Sequence, residues 1–301
     1  MTTTQPVALN SDRNAALIRA MPVVFVLIWS TGFIVARYGM PHAPPLKFLA
    51  VRYALSILCF LPWVMVAKVP WPSTRTQWLH LAVTGMLMNA GYLGGVWAAV
   101  KAGMGSGLTA LIVGLQPVLT AVWLSFMGAR VTLRQWVGLV LGFAGLLLVV
   151  SGKFGQGGEV DVFNLSLAVA ALFSITAGTL YQKRFVAPCD VRSAGVVQLL
   201  AALIVTLPLA LLESEGIDWT AQFMGAMAWS VLALSLGGSS LLYLLLQRGA
   251  ATSVTSLFYL VPPCTAFLAW LLFSEPITLV TLAGTVLTAL GVGWVVRPAR
   301  A

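Results

Sequence analysis

Charged residues are scarce in this sequence. They make up 8% of its 301 residues, whereas 59% are hydrophobic and the mean hydropathy is +0.95. A soluble domain carries roughly a quarter charged residues, so this composition excludes an ordinary soluble protein and predicts a membrane protein.

Cysteine, histidine and intramembrane acids are also few. The 3 cysteines and 2 histidines have no metal-ligand spacing and imply no disulfide framework. No Asp or Glu falls in the central part of an apolar segment. Proton-coupled pumps usually need an intramembrane acid or histidine, and carriers of cationic drugs need a buried anion. We therefore expect no metal, no cofactor and a neutral or zwitterionic cargo. Proton coupling is unsupported but not excluded.

Ten apolar stretches are long enough to cross a bilayer, because about 20 residues at 1.5 Å rise match the hydrocarbon thickness. They lie at residues 22–40, 46–66, 77–99, 104–127, 133–151, 163–183, 193–212, 223–246, 250–273 and 279–296. Residues 1–21 are polar and are predicted to form a disordered cytoplasmic tail. The first apolar run is too long for a signal peptide, so we expect it to be retained as a helix.

The sequence repeats after 146 residues without a gap. The matches include Gly32 with Gly178, Gly91 with Gly237, Pro117 with Pro263, and Gly138 with Gly284. Gly and Pro mark special backbone geometry, so both halves are expected to share one fold. Each half has five segments, and this odd number inverts the second half. We predict an all-α membrane protein of ten transmembrane helices in two inverted five-helix repeats, residues 22–152 and 160–297, as in secondary transporters.

The net charge of +9 follows the predicted topology. With the N-terminus in the cytoplasm, twelve of the 17 Lys and Arg residues fall inside and five outside, while the acids lean outward. This bias predicts that both termini are cytoplasmic. The basic balance thus indicates orientation in a lipid bilayer, and we expect no nucleic-acid partner.

Polar and aromatic stripes mark the first, third, fourth, sixth, eighth and ninth segments. Lipid-facing helices have no use for polar side chains, so matched stripes predict a central cavity. The alternative is that Ser and Thr bond their own helix and that the aromatic rings pack in the core. The candidate cargo-binding residues are Trp29, Ser30, Asn89, Tyr92, Trp97, Thr109, Gln116, Thr176, Thr179, Ser235, Ser239, Tyr243, Ser256 and Tyr259.

Three prolines and three basic residues complete the candidate site. Pro117, Pro262 and Pro263 lie within segments, where proline frees a carbonyl one turn earlier. They are candidate hinges, with a packed structural kink as the alternative. The candidate vestibule charges are Arg37, Lys101 and Lys183. The glycines at 138, 142, 284 and 291 predict close helix contacts, so we expect a monomer or a weak homodimer.

Several short motifs are distributed along most of the chain. They are Trp29-Ser30-Thr31-Gly32-Phe33, Arg52, Leu115-Gln116-Pro117, Thr132-Leu133-Arg134-Gln135, Leu260-Val261-Pro262-Pro263 and Ser274-Glu275-Pro276-Ile277-Thr278. From about residue 22 to 297 the chain resembles EamA-type members of the drug/metabolite transporter superfamily. The aromatic stripes look most like the YddG-type branch of aromatic amino-acid exporters. The resemblance implies a multi-pass protein of the bacterial inner membrane that exports metabolites.

These observations together predict an alternating-access secondary transporter that is not an enzyme. Its expected cargo is an amino acid, aromatic or neutral, or a similar small zwitterion. One alternative keeps the fold and carries another metabolite or a drug. A further alternative is a membrane scaffold or scramblase that transports no metabolite.

Overall fold

A computed structural model describes residues 7–128, 132–153, 159–238, 240–241 and 260–296. The regular structure in these ranges is helical. The α-helices are α1 (Val7–Gly39), α2 (Pro45–Val66), α3 (Arg75–Gly85), α4 (Tyr92–Lys101), α5 (Ser106–Val113), α6 (Gln116–Phe126), α7 (Leu133–Lys153), α8 (Val162–Phe185), α9 (Val191–Leu212), α10 (Ala221–Trp229), α11 (Val261–Phe273) and α12 (Leu279–Val296). A π-helical segment, Met86–Gly91, joins α3 to α4, and another, Ser230–Gly238, follows α10.

Seven helical stretches are long and apolar enough to cross a membrane. They are Ala20–Gly39, Pro45–Val66, Ser106–Phe126, Leu133–Lys153, Val162–Phe185, Val191–Leu212 and Ala221–Gly238. The third predicted span corresponds to α3, the first π-segment and α4 together, and the last two to the shorter apolar helices α11 and α12. An all-helical, multi-pass membrane protein is confirmed for the described residues. The count of ten spans and the side on which the termini lie stay predictions.

The first helix is longer than the sequence suggested. It begins at Val7, within the segment 1–21 that we predicted to be disordered, whereas its apolar portion begins at Ala20. The helix continues through this segment because strong helix formers such as Ala15, Ala16 and Leu17 precede the span.

Glycines bring α7 and α12 into close contact. A Cβ atom added to Gly145 would lie 2.5 Å from the carbonyl oxygen of Gly284, and one added to Gly291 would lie 2.5 Å from that of Gly138. Gly145 and Gly291 are 146 residues apart, and so are Gly138 and Gly284, so the repeat relates the two contacts to each other. The glycines predicted to form helix contacts therefore pack against each other within one chain.

Irregular helices are confined to some of the predicted spans. The third and eighth contain the π-segments, and the fourth breaks at residues 114–115 between α5 and α6. By contrast, α2, α7, α9 and α12 are continuous α-helices, although Pro62 lies inside α2 and Pro208 inside α9. The two spans with π-segments are related by the 146-residue shift.

Candidate functional site

A buried arginine lies two turns into α2. Arg52 is 8% exposed, and its Nε donates a hydrogen bond to Ser235 Oγ at 3.3 Å. Ser235 in turn donates to the carbonyl oxygen of Ser230 at 3.1 Å. The phenols of Tyr53 and Tyr92 are near enough to interact electrostatically with the guanidinium. Arg52 thus links α2 to the second π-segment, and a charged side chain within a span is by default a sign of function.

Two serine hydroxyls close to this link lack a hydrogen-bond partner within the described residues. Ser56 follows Arg52 by one helical turn on the same face of α2, and Ser230 begins the second π-segment. Both are fully buried. Buried hydroxyls without a partner are uncommon in folded proteins. Both therefore have hydrogen-bonding capacity to offer a ligand.

The first π-segment approaches α2 through a tyrosine. The hydroxyl of Tyr53 donates to the carbonyl oxygen of Asn89 at 2.9 Å. The amide side chain of Asn89 is half-buried and makes no hydrogen bond with the described part of the chain. Tyr92 begins α4 and is 8% exposed. The structure thus brings Asn89, Tyr92 and Ser235, all predicted from the sequence, to the helices around Arg52.

A second polar contact joins α6 to α8. Gln116 Nε2 donates to Thr179 Oγ1 at 2.8 Å, and Thr179 donates to the carbonyl oxygen of Ile175 at 2.7 Å. Gln116 is the first residue of α6, directly after the break. Because Pro117 has no N–H group, the carbonyl of Val113 lacks its helical donor. A side-chain amide and a freed carbonyl are therefore neighbours along this span.

Three further predicted hydroxyls bond their own helices, as Thr179 does. Ser30 donates to Val26 at 2.7 Å, Thr109 to Gly105 at 2.8 Å and Thr176 to Leu172 at 2.7 Å, in each case to the carbonyl four residues earlier. This is the alternative recognised from the sequence. Ser30 Oγ is also 3.5 Å from the carbonyl oxygen of Val261, so this hydroxyl additionally links α1 to α11.

The predicted aromatic residues divide between core and half-buried positions. Trp97 is 1% exposed and stacks on Phe48, with 4.3 Å between ring centroids. Trp29 is half-buried, with its ring centroid 5.3 Å from that of Phe25. Trp97 thus contributes to packing in this conformation. Trp29 keeps more accessible surface.

Two of the predicted vestibule charges are paired. Arg37 Nη1 lies 3.9 Å from Glu275 Oε1, and that carboxylate accepts from the backbone N–H of Ser106 at 3.1 Å. Lys101 Nζ lies 2.7 Å from Glu215 Oε2. Lys183 is exposed near the other end of the bundle. The paired charges therefore join the two halves of the chain at the end where α1 terminates.

The proline positions coincide with the helix interruptions. A Cβ atom added to Gly114 would lie 2.7 Å from Cγ of Pro262, so the break in the fourth span touches the start of α11. Pro262 is buried and Pro263 is half-buried. Four further candidates, Ser239, Tyr243, Ser256 and Tyr259, lie outside the described residues.

Sequence reasoning missed the cluster around Arg52. The arginine was noted as a motif residue and counted among the charges flanking the spans, while Ser56 and Ser230 were not considered. A cation in an apolar segment that lacks an acid was the available signal. Its partner could not be read from the sequence, because Ser235 is 183 residues away.

Known proteins share both the sequence pattern and the fold. The sequence profile of the EamA-like transporter family matches residues 18–151 and 163–297. A Salmonella typhimurium protein named probable amino-acid metabolite efflux pump is 27% identical over 90% of this chain and 92% of its own length. The uncharacterized inner membrane transporter YedA of Escherichia coli is 26% identical over 80% of this chain and 78% of its own. A crystal structure of a protein with 16% identity superposes with a TM-score of 0.64 and covers 91% of this chain and 95% of its own.

Proposed function

This chain belongs to the EamA-like transporter family, and we propose that it is an alternating-access carrier that exports amino acids, aromatic or neutral, or similar small zwitterions. It is a multi-pass membrane protein, and its relative YedA is named an inner membrane transporter. Its location is accordingly the inner membrane.

One observation carries the proposal: the helix interruptions among the described residues lie in spans that also carry polar stripes. The third, fourth and eighth predicted spans have both. The stripes of the first and sixth spans lie on the continuous helices α1 and α8, whereas α2, α7, α9 and α12 are continuous and have little of the polar pattern. Non-helical backbone at membrane depth is tolerated where it lines a cavity or is buried in protein. Single π-turns are frequent at functional sites. This distribution is what a cargo pathway between the irregular spans requires.

The contacts between helices support an inverted repeat of residues 22–152 and 160–297. Gly145 faces Gly284, and the same contact shifted by 146 residues is Gly291 facing Gly138. A contact that maps onto itself in this way is expected of two units related by a pseudo-two-fold axis. Such units can exchange conformations, which is the basis of alternating access.

The proposed cargo class rests on the polarity of the described side chains and on the names of two relatives. The described spans offer neutral hydrogen-bonding groups at Asn89, Gln116 and Thr179, together with Arg52, the one buried cation among the described residues. These groups suit a small zwitterion with an aromatic or apolar side chain. Two relatives, from Salmonella typhimurium and Escherichia coli, are named probable amino-acid metabolite efflux pumps.

Counterflow in liposomes tests the proposal. The purified full chain is reconstituted without an imposed ion gradient, and exchange of each of the twenty labelled amino acids is measured. We expect exchange of aromatic or neutral amino acids. A folded protein that exchanges none of the twenty would contradict the amino-acid assignment.

Two variants localise the pathway. Gln116→Ala removes the donor to Thr179, and Tyr92→Ala opens the site beside Arg52, so both should lower exchange several-fold without lowering membrane insertion. Gln222→Ala, at an exposed position of α10, is the matched control and should exchange normally. Normal exchange by both site variants would remove these residues from the pathway.

A further inference from the structure

Arg52 is a buried cation whose charge is not neutralised by a described residue of the chain. Its only hydrogen bond with the described residues runs from Nε to the neutral hydroxyl of Ser235. The two terminal nitrogens donate to no acceptor there. A charge removed from water is costly unless an opposite charge or full hydrogen bonding compensates it. The site therefore provides binding capacity for an anion.

Two buried hydroxyls on the helical segments that carry Arg52 and Ser235 strengthen this conclusion. Within the described residues, three buried side-chain atoms lack a hydrogen-bond partner, and two of them are Ser56 Oγ and Ser230 Oγ. Ser56 lies one turn from Arg52, and the carbonyl of Ser230 holds the hydroxyl that Arg52 binds. Hydroxyls that can donate and a guanidinium fork suit the paired oxygens of a carboxylate.

We propose that Arg52, with Ser56 and Ser230, binds the carboxylate of the cargo. This assignment rests on the proposed function and deepens it, because it pairs the cationic side chain of Arg52 with the negative charge of a zwitterionic cargo. The position also suits a transported ligand, because Arg52 bridges the continuous helix α2 and the irregular segment Ser230–Gly238. The carboxylate would take the place of the missing acidic partner and would complete the hydrogen bonding of the cluster.

Competition in the counterflow assay tests the assignment. The probe is labelled L-phenylalanine, and the competitors are phenethylamine, which lacks the carboxylate, and 3-phenylpropionate, which lacks the ammonium. For the wild type we expect phenylalanine and 3-phenylpropionate to compete about 10- to 100-fold better than phenethylamine, as a charge-assisted hydrogen bond would give.

Variants then separate binding from folding. Arg52→Gln should raise the KM for phenylalanine by about 10- to 100-fold and abolish the carboxylate preference, while competition by phenethylamine is unchanged. Arg52→Lys keeps the charge and should retain part of the preference. Arg75→Gln, at an exposed position, is the matched control. Equal weakening of unlabelled phenylalanine, 3-phenylpropionate and phenethylamine as competitors in Arg52→Gln, or an intact carboxylate preference, would overturn the assignment.

A binding assay distinguishes this inference from the proposed function. We expect 3-phenylpropionate to raise the melting temperature of the detergent-solubilised wild type and of Arg75→Gln, but not that of Arg52→Gln. That result without amino-acid exchange would sink the proposed cargo and keep the carboxylate site. Exchange that does not depend on Arg52 would do the reverse. A larger shift with inorganic phosphate than with 3-phenylpropionate would assign the site to phosphate and overturn the carboxylate.

Discussion

The two halves of the chain share helix irregularities but differ in the side chains beside them. The π-segment Met86–Gly91, shifted by 146 residues, falls within Ser230–Gly238. Arg52, however, corresponds to Gln198, and Gln116 corresponds to Pro262. The π-segment is therefore repeated in both halves, whereas Arg52 and Gln116 have counterparts of a different residue type.

This difference separates two tasks of a carrier. In the proposed carrier, a repeated frame would let the halves exchange conformations, so that a site is exposed to each side in turn. A small zwitterion has one carboxylate, one ammonium and one side chain, so it has no symmetry for a symmetric site to match. We therefore expect changes to the frame to act in pairs and changes to the site to act in one half alone.

The largest effect is expected where the frame packs most closely. Gly145→Ala and Gly291→Ala each place a methyl group against a backbone carbonyl of the facing helix. Overpacking of this kind costs about 1 to 3 kcal/mol, and the two losses should be equal because the contacts are equivalent. Thermal unfolding in detergent measures both. Gly293→Ala is the control, since a Cβ atom there meets no atom within 4 Å. A loss at only one of the two positions would contradict equivalence.

A smaller effect is expected from the cap that one half supplies to the other. The backbone N–H groups of Leu46 and Lys47 donate to the carboxylate of Glu213, at 3.1 and 2.9 Å. The N-terminus of α2 thus receives a cap from the end of α9, and Glu213→Ala should cost about 1 kcal/mol. Thermal unfolding compares it with Asp218→Ala, an exposed acid near the same end. Equal melting temperatures of the two variants would show that the cap contributes nothing.

The smallest effect is expected at the N-terminus of α9, which is the counterpart of the N-terminus of α2. Here the cap comes from the neighbouring residue Asp190. Asp190 accepts from the backbone N–H of Arg192 at 2.9 Å and pairs with its guanidinium. The side-chain hydrogen bond from Arg192 lowers the pKa of Asp190 below its ordinary value of 3.8. The ionised form therefore favours the fold, so its stabilisation is complete above that value and is lost as the pH falls through the lowered pKa.

Asp190→Asn should accordingly weaken the decline in stability below about pH 4, with the change measured as melting temperature against pH. The same measurement on Glu213→Gln compares this local cap of α9 with the cap that α2 receives from the other half of the chain. An unchanged pH profile in Asp190→Asn would remove the predicted contribution.

Local patterns predicted much of the architecture. Apolar runs predicted helices that the structure confirms for the described residues, and the proline at 117 marked the place where α5 gives way to α6. The glycines of α7 and α12 predicted close packing, because a residue without a side chain lets the backbones of two membrane helices approach each other closely. The start of α1 was wrong, since helix propensity continued a helix beyond its apolar part.

The candidate site was predicted less completely. Asn89, Tyr92 and Ser235 lie on the helices around Arg52, and Gln116 contacts Thr179. The sequence could not distinguish these from Thr109 and Thr176, whose hydroxyls, among the described residues, bond only their own helices. Spacing puts residues on one face of a helix but does not say which acceptor each hydroxyl finds.

The sequence alone determined the class of protein, because hydropathy, period and the 146-residue repeat are properties of local composition and order. Only the tertiary structure decided that Arg52 is buried against Ser235 and that Ser56 and Ser230 have no partner within the described residues. The physical reason is distance along the chain. A hydrogen bond between residues 183 apart depends on how whole helices pack, and helix packing is set by the many contacts of both halves together.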